Sequence, residues 1–179
     1  MIGLNKGNEH PYSWSAIFNG YNAQAMLELC PSESIPVYLG KEPRDNLRIS
    51  GARVTHVFCN NRDDAEKVAE CSLVDNIVDS PEALIGKVDA VIIGTDTGRD
   101  HLRMARPFVE SSIPLFIDKP LCDNKADLEA FKQWIKADNK PIMSSSCFRY
   151  AKEFLPYRIS THELGDLRFI SMTIGKKWE

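Results

Sequence analysis

The sequence of 179 residues contains no long apolar run. No hydrophobic segment approaches the roughly 20 residues that a membrane-spanning helix needs, so we expect no membrane partner. The N-terminal sequence MIGLNKGNEHPY has no basic segment followed by a long apolar one, and it therefore predicts no signal peptide.

Cysteine is scarce and follows no recognisable pattern. The five cysteines form no CxxC pair and have no ligand-like spacing to a histidine. Their odd number and their spacing predict reduced thiols, a cytoplasmic location and no metal site.

An excess of positive charge is also absent. The chain has 22 Lys and Arg residues against 25 Asp and Glu residues, which gives a formal net charge of −3. This balance argues against a nucleic-acid partner. The length and the 43% of hydrophobic residues predict either one domain with a full core or one such domain plus a piece of another.

The full glycine fingerprint G-x-G-x-x-G of dinucleotide-binding folds is missing after the first predicted strand, Ile2–Leu4. Only Gly3 and Gly7 are in range. A glycine-bearing turn between a first strand and a helix is nevertheless where such folds cradle a pyrophosphate. We therefore predict cofactor contacts from Gly3, Asn5, Gly7 and His10, with an ordinary strand-to-helix turn as the alternative.

A well-patterned stretch is present between residues 87 and 121. Val88–Ile93 and Leu115–Ile117 are short apolar runs typical of buried strands, and a segment of helical spacing starting at His101 separates them. Polar clusters follow both runs, at 95–101 and 118–120. Ligands of open parallel sheets lie outside the carboxyl ends of the strands, so these clusters are predicted to form the site.

Strands and helices alternate along most of the chain, which predicts a doubly wound parallel sheet of the Rossmann type, an α/β fold. The first predicted helix starts at about Ser13, with His10 and Tyr12 before it. The elements that follow are strand Val54–Cys59, helix Asp63–Cys71, strand Leu73–Val78 and a brief helix capped by Ser80. After residue 121 we predict a helix capped by Asp123, strand Pro141–Ser144 and a helix from Phe148 to about Ser160; the helix capped by Asp123 has one apolar face, formed by Leu128, Phe131, Trp134 and Ile135.

Two regions do not follow this alternation. Residues 30–52 predict an irregular surface excursion with one helical turn at 45–49. Residues 166–174 read as a long strand with apolar side chains on both faces, and we expect it to pair across a chain contact in a homo-oligomer or else to be ordered only by crystal packing. We therefore divide the chain into a nucleotide-binding domain, 1–160, and the first strand of a second, α+β domain, 161–179.

The end of the second strand carries Asn60, Asn61 and Arg62 and no acid. An acid at this place forms a hydrogen bond with the ribose 2′-hydroxyl of NAD, whereas a nearby arginine accommodates the 2′-phosphate of NADP. Asn60 and Arg62 are therefore predicted cofactor contacts, and NADP is slightly favoured over NAD. The alternative, which we weigh equally, is that Asn60 or Asn61 caps the next helix and that Arg62 is solvated.

The strand ends resemble those of the glucose–fructose oxidoreductase, inositol dehydrogenase and rhizopine-catabolism (Gfo/Idh/MocA) family. Ile92-Ile93-Gly94-Thr95 followed by His101 is similar to the family's strand with a Thr-Pro-x-x-x-His pattern, with Asp96 for the proline and one extra residue before the histidine. Phe116-Ile117-Asp118-Lys119-Pro120 resembles its Glu-Lys-Pro motif.

Two later segments extend the resemblance over nearly the whole chain. Phe148-Arg149-Tyr150 is similar to the family's Arg-Phe/Tyr segment, and Gly165-Asp166-Leu167 resembles the start of its second-domain sheet. The second domain, which carries the family's Asp and His for proton transfer, would lie beyond that start.

The resemblance implies an NAD(P)-dependent oxidoreductase that transfers a hydride to or from a sugar, cyclitol or related polyol. Lys119 would be the catalytic cation beside nicotinamide and substrate, and Asp118 would hold it as a close ion pair. Thr95, His101, Asp118 and Arg149 would contact the cofactor. The alternative is a non-catalytic nucleotide-binding or sensing module of the same fold, which the degenerate turn at Asn5 favours.

Overall fold

The computed structural model describes residues 1–43, 47–171 and 173. The chain divides into two compact units, Met1–Ser145 and a smaller one that begins at Ser146. Among the described residues, no helix has the length and apolar character needed to cross a membrane.

Parallel strands form the centre of the first unit. Strands β1 (His56–Val57) and β2 (Asn76–Ile77) pair with each other, and β3 (Val91–Ile93), β4 (Leu115–Ile117) and β5 (Ile142–Ser144) form a second group in that order. Ile2 makes parallel bridges to Phe58 on one side and to Ile93 on the other. The resulting order, β2-β1-Ile2-β3-β4-β5, confirms the Rossmann-type fold.

Helices connect the strands. The first unit contains α1 (His10–Asn19), α2 (Ala23–Leu29), α3 (Ser34–Leu39), α4 (Arg62–Ser72), α5 (Gly98–Glu110) and α6 (Lys125–Lys132), which continues as a π-helical turn, Gln133–Ala137. A 3₁₀ turn at Pro81–Leu84 starts at Ser80, whose side chain accepts a hydrogen bond from the Ala83 amide as predicted. The second unit contains α7 (Leu155–Ile159) and the 3₁₀ turns Cys147–Arg149 and Thr161–Leu164.

Two apolar clusters form the core of the first unit. Around α1, α2 and α4, the largest fully buried side chains are Tyr12 and Met26. Around α5 and α6, Phe108 and Phe131 pack with Ile93 and Ile117 of the sheet. Strands β3 and β4 are largely buried, which explains their continuous apolar sequences.

The N-terminal half of the first unit departs from the sequence predictions in two places. Helix α1 begins at His10 and not near Ser13, because Pro11 fits the first turn of a helix, where its missing N–H is not needed. Tyr12, predicted to precede the helix, is fully buried inside it. Residues 30–52 are not wholly irregular, since α3 buries Ile35 and Leu39. The helical turn predicted at 45–49 lies partly outside the described residues.

The later elements show further differences. Asn124, and not Asp123, caps α6 by accepting a hydrogen bond from the Asp127 amide. Phe131 is buried as predicted, but Leu128 and Ile135 are exposed. In place of the long helix predicted from Phe148, the structure has the 3₁₀ turn Cys147–Arg149 and the five-residue helix α7. The described residues between 166 and 173 form no strand, and the rest of that prediction lies outside them. The intermolecular pairing and the division near residue 160 stay predictions.

Candidate functional site

Three loops meet at the carboxyl ends of the parallel strands. They are the turn between Ile2 and α1, the loop between β3 and α5, and the segment 118–120 after β4. Because all these strands run in the same direction, their polar ends lie on one edge of the sheet, where ligands of this architecture bind.

Asp118 joins two of these loops. Its side chain is 2% exposed. One carboxylate oxygen, Oδ1, accepts from the Lys119 backbone amide at 2.7 Å, and the other, Oδ2, contacts His10 Nδ1 at 2.7 Å and Asn8 Nδ2 at 3.3 Å. Burial alone would raise the pKa of the carboxyl, but the hydrogen bonds from His10 and Lys119 and their charges lower it below its usual value. Asp118 is therefore ionised at neutral pH.

The close ion pair predicted between Asp118 and the Lys119 side chain is not found among the described contacts. The two residues interact through the Lys119 backbone amide instead, and His10 takes the place at the carboxylate. The Lys119 ammonium still contributes to the lowered pKa of Asp118.

His10 is the first residue of α1. Its ring stacks on Trp14, one turn further along the helix, with centroids 4.4 Å apart and an interplanar angle of 11°. Trp14 in turn contacts Phe116 of β4 edge-to-face at 5.6 Å. The His10 side chain remains 32% exposed. Stacking and the Asp118 contact thus hold the ring in one place, with part of it facing solvent.

The two glycines of the first turn have different environments. A Cβ at Gly3 (φ +140°) would lie 3.3 Å from Gly94 C and from Pro11 Cγ, so this glycine permits the close packing of the strand ends. Gly7 (φ +81°) has no atom within 4 Å of its Cβ position. The turn is therefore closely packed at Gly3 and open at Gly7.

A cavity of about 250 Å³ lies next to this turn, and Asn5, Asn60 and Thr95 all line it. The structure thus brings together three residues that the sequence predicts as cofactor contacts. Asn5 stands two residues after Gly3, the place of the fingerprint's middle glycine. It exchanges hydrogen bonds with Asp96, from Asn5 Nδ2 to Asp96 Oδ1 at 2.6 Å and from the Asp96 amide to Asn5 Oδ1 at 3.3 Å.

His101 is fully buried and has protein partners at both ring nitrogens. Nδ1 lies 3.0 Å from Pro120 O and 3.2 Å from Leu121 O, and Nε2 lies 3.0 Å from Thr95 Oγ1. The ring therefore ties the loop after β3 to the segment after β4, whose Lys119–Pro120 peptide is cis. It stabilises the cavity wall and has no free nitrogen for a ligand.

Arg62 and Arg149 are predicted contacts whose described partners are other protein groups. Arg62 pairs through Nη1 with Asp79 at 2.7 Å and through Nε with Glu66 at 3.2 Å, all three side chains being exposed. Arg149 belongs to the second unit, where its backbone oxygen accepts from Arg158 Nη1 at 2.6 Å. Their cofactor contacts stay predictions.

Sequence reasoning missed Asn8 and Trp14. The Asn8 Oδ1 accepts from the His10 amide at 3.0 Å, which is a common role of asparagine just before a helix and was a recognisable signal. The spacing of four residues between His10 and Trp14 also predicts contact on a helix. Within the described ranges, no group of three or more His, Cys, Asp or Glu side chains forms a metal site.

The fold, the glycine turn and the polar strand ends define a nucleotide-binding domain of the dehydrogenase type. Residues 9–146 match the Gfo/Idh/MocA family, described as an oxidoreductase family with an NAD-binding Rossmann fold, and the chain belongs to this family. No functionally curated protein matches the sequence.

Solved structures with the same fold include several dehydrogenases and reductases. Myo-inositol 2-dehydrogenase from Lactobacillus plantarum is 15% identical over 92% of this chain and 41% of its own, with a TM-score of 0.60. Scyllo-inositol dehydrogenase from Lactobacillus casei, with bound NAD(H) and scyllo-inositol, is 16% identical over 92% and 41%, with a TM-score of 0.54.

A third structure, biliverdin reductase from Synechocystis with biliverdin and NADP⁺, is 18% identical over 62% of this chain and 35% of its own, with a TM-score of 0.52. At these identities the likeness concerns the fold alone. The chain spans 35% to 41% of the length of the three proteins.

Proposed function

We propose that the chain binds a nicotinamide dinucleotide and forms the cofactor-binding part of an oxidoreductase. The observation that carries this proposal is the meeting of the open Gly7 turn, the cavity at Asn60 and Thr95, and the Asp118–Lys119 segment at one edge of a parallel sheet. Family membership supports the same cofactor class.

The site fits a dinucleotide if one part of the ligand lies in the cavity and another part lies over the turn from Gly3 to His10. The cavity of about 250 Å³ is smaller than the roughly 300–1,000 Å³ of complete ligand sites. We propose that it holds one nucleoside of the cofactor, next to Asn60 and Thr95. The pyrophosphate would lie over the turn from Gly3 to His10, where Gly7 leaves open space, and the nicotinamide would lie towards Lys119.

Lys119 is the proposed catalytic residue. The cofactor, when bound, supplies the hydride chemistry, so the protein must orient the reactants and stabilise developing charge. The Lys119 backbone is fixed by Asp118 at the end of a buried strand. Its ammonium would stabilise an alkoxide that develops at the reacting carbon of the substrate.

The substrate class is proposed as a sugar, cyclitol or related polyol. The names of two structures with the same fold, a myo-inositol and a scyllo-inositol dehydrogenase, support a polyol. Biliverdin reductase has the same fold and was solved with biliverdin, which is not a polyol. A homo-oligomer and a cytoplasmic location are likewise proposals, and the five free cysteines are consistent with the second.

NADP is proposed as the slightly preferred cofactor because no acid follows β1 at Asn60, while Arg62 is within the same segment. In the structure Arg62 contacts Asp79 and Glu66. A 2′-phosphate would have to replace these exposed partners, whose ion pairs are worth only about 0 to 1 kcal/mol each. The preference is therefore expected to be modest.

A non-catalytic sensing module remains the second candidate, because the family match starts at residue 9 and the preceding turn lacks the fingerprint. Titration of NADH and NADPH against the purified chain, followed by nicotinamide fluorescence and calorimetry, tests the cofactor proposal. We expect saturable binding below millimolar concentration. If neither dinucleotide binds at millimolar concentration, the proposal is wrong.

A further inference from the structure

The first turn of α1 offers no free backbone N–H to an anion at its first three positions. The His10 amide donates to Asn8 Oδ1 at 3.0 Å, Pro11 has no N–H, and the Tyr12 amide donates to Glu9 O at 3.1 Å. In dinucleotide folds this turn usually donates its amides to the pyrophosphate. A pyrophosphate at this place therefore receives no amide hydrogen bond from the first three positions of α1.

The His10 ring can add a side-chain donor at this turn. Asp118 is ionised and can only accept, so Nδ1 of His10 carries a proton and donates to Oδ2 at 2.7 Å. The other ring nitrogen, Nε2, has no hydrogen-bond partner within the described part of the chain, and the side chain is 32% exposed. The stacked Trp14 ring keeps it from turning away.

The charge state of the ring then determines what Nε2 can bind. In the neutral ring Nε2 carries a lone pair that repels a phosphate oxygen, whereas in the protonated ring Nε2 carries a hydrogen that it can donate, and the ring is positively charged. A phosphate can therefore bind there only when the ring holds two protons. Asp118 remains paired with Nδ1 in both states.

We propose that the protonated His10 ring, held by Asp118 and Trp14, binds the cofactor's pyrophosphate through Nε2 and makes cofactor binding depend on proton uptake. This inference rests on the proposed cofactor-binding function and names the group that replaces the missing glycine fingerprint. It also changes the role of Asp118, which orients His10 and not the Lys119 ammonium.

Other charged groups belong to the segments around this ring. Asp118 touches it from the end of β4, and Lys119 follows on the same segment. Glu9 precedes it at the start of α1, and Lys6 lies in the glycine turn. The formal charges of the two acids and the two lysines cancel, while a bound pyrophosphate adds negative charge beside the ring.

The test measures proton uptake on binding of NAD⁺ to the purified chain by calorimetry. The diphosphate diester does not titrate between pH 6 and pH 8, so protons taken up come from the protein. Binding enthalpies in two buffers of different ionisation enthalpy give the number of protons. We expect uptake towards one proton per NAD⁺ at pH 8 and an affinity that rises on the order of tenfold from pH 8 to pH 6.

Variants and ligand fragments assign this proton. His10→Asn should abolish the uptake, flatten the pH profile and weaken binding about tenfold at pH 6. The matched control is His162→Asn, which removes an exposed histidine of the second unit and should change none of these values. ADP-ribose, which keeps the pyrophosphate, should show the uptake, and adenosine should not.

The wild type alone also decides the matter if His10→Asn fails to fold. The chain has four histidines, so the His10 ring signal can be followed by NMR, and its titration midpoint should rise when ADP-ribose binds. Binding of NAD⁺ without proton uptake, or uptake that persists in folded His10→Asn, would overturn this inference and leave the cofactor proposal intact. Absence of any NAD⁺ binding would overturn both.

Discussion

Asp118 is a buried carboxylate whose partners come from two segments far apart in the chain. It holds the start of α1 through His10 and Asn8, and it holds its own loop through the Lys119 amide. Charge-assisted hydrogen bonds of this kind are stronger than neutral ones. The residue therefore stabilises the fold and shapes the proposed cofactor site at once.

Replacement of this carboxylate should destabilise the protein in a pH-dependent way. Asp118→Asn is expected to lower the free energy of unfolding by about 1–3 kcal/mol at pH 7, because buried donors lose an ionised acceptor. Since the folded-state pKa of Asp118 is lowered, the stabilisation is complete above about pH 4 and disappears as pH falls through the folded-state value. Urea unfolding at pH 7 and at acid pH measures both.

The control for this experiment is Asp123→Asn, at an exposed carboxylate five residues further along. It should change the free energy of unfolding by less than about 0.5 kcal/mol. A loss in Asp118→Asn that does not shrink at acid pH would contradict the argument from ionisation.

Arg62 is the residue on which the cofactor preference depends. Removal of its guanidinium in Arg62→Ala should reduce the ratio of NADPH to NADH affinity by about two- to fivefold, the effect of an exposed ion pair. Fluorescence titration with both dinucleotides measures the ratio. Lys67→Ala, which removes another exposed cation of α4, should leave it unchanged. Equal affinities in the wild type would count against the NADP proposal.

At the scale of secondary-structure elements, two adjacent asparagines at the start of α4 have different expected roles, one in stability and one in cofactor binding. Asn61 Oδ1 caps the helix by accepting from the Asp63 amide at 3.0 Å, whereas Asn60 lines the cavity. Asn61→Ala should lower the free energy of unfolding by about 0.5–2 kcal/mol with little change in dinucleotide affinity.

Asn60→Ala should do the opposite, weakening dinucleotide binding about two- to tenfold through a lost hydrogen bond with little effect on unfolding. Chemical denaturation and calorimetry on both variants give the comparison. Equal effects of the two substitutions on binding would show that the cavity beside Asn60 does not hold the cofactor.

The sequence predicted some elements well and others poorly, for physical reasons. The strand Leu115–Ile117 was predicted correctly because a strand buried on both faces must be continuously apolar. That pattern can be recognised without knowing which elements pack against the strand. The start of α1 was missed because His10 and Pro11 carry no strong helix signal apart from the proline's fit to a first turn. Boundaries depend on such local competition.

The contacts within the site could be predicted only in part. The sequence placed Gly7, Thr95 and Asp118 at strand ends, because strand direction alone determines that. The contact between His10 and Asp118 links residues 108 positions apart. It depends on how α1 packs beside β4 through Trp14 and Phe116, which no local pattern specifies.

At the scale of the whole molecule, we expect no normal turnover from residues 1–179 alone. The chain spans 35% to 41% of the length of the compared dehydrogenases and reductase, and the resemblance assigns proton transfer to a later domain. General acid–base catalysis contributes typically 10²- to 10⁴-fold, and the substrate would lack one wall of its pocket. Steady-state polyol oxidation, assayed on a sample shown to bind cofactor, measures this.

A dehydrogenase-like rate in that assay would show that residues 1–179 contain the complete acid–base machinery. Because cofactor binding is checked on the same sample, an inactive preparation cannot be mistaken for confirmation.

The bridging position of Ile2 has a consequence for the order of folding. Its amide donates to Ile92 O and its oxygen accepts from the Gly94 amide, while its neighbours Met1 and Gly3 bond with Phe58. These contacts span long loops, and such contacts close late because the loop entropy must be overcome first. The two strand groups can therefore assemble separately, and the amide of Gly94 should gain protection from hydrogen exchange only when Ile2 docks beside β3.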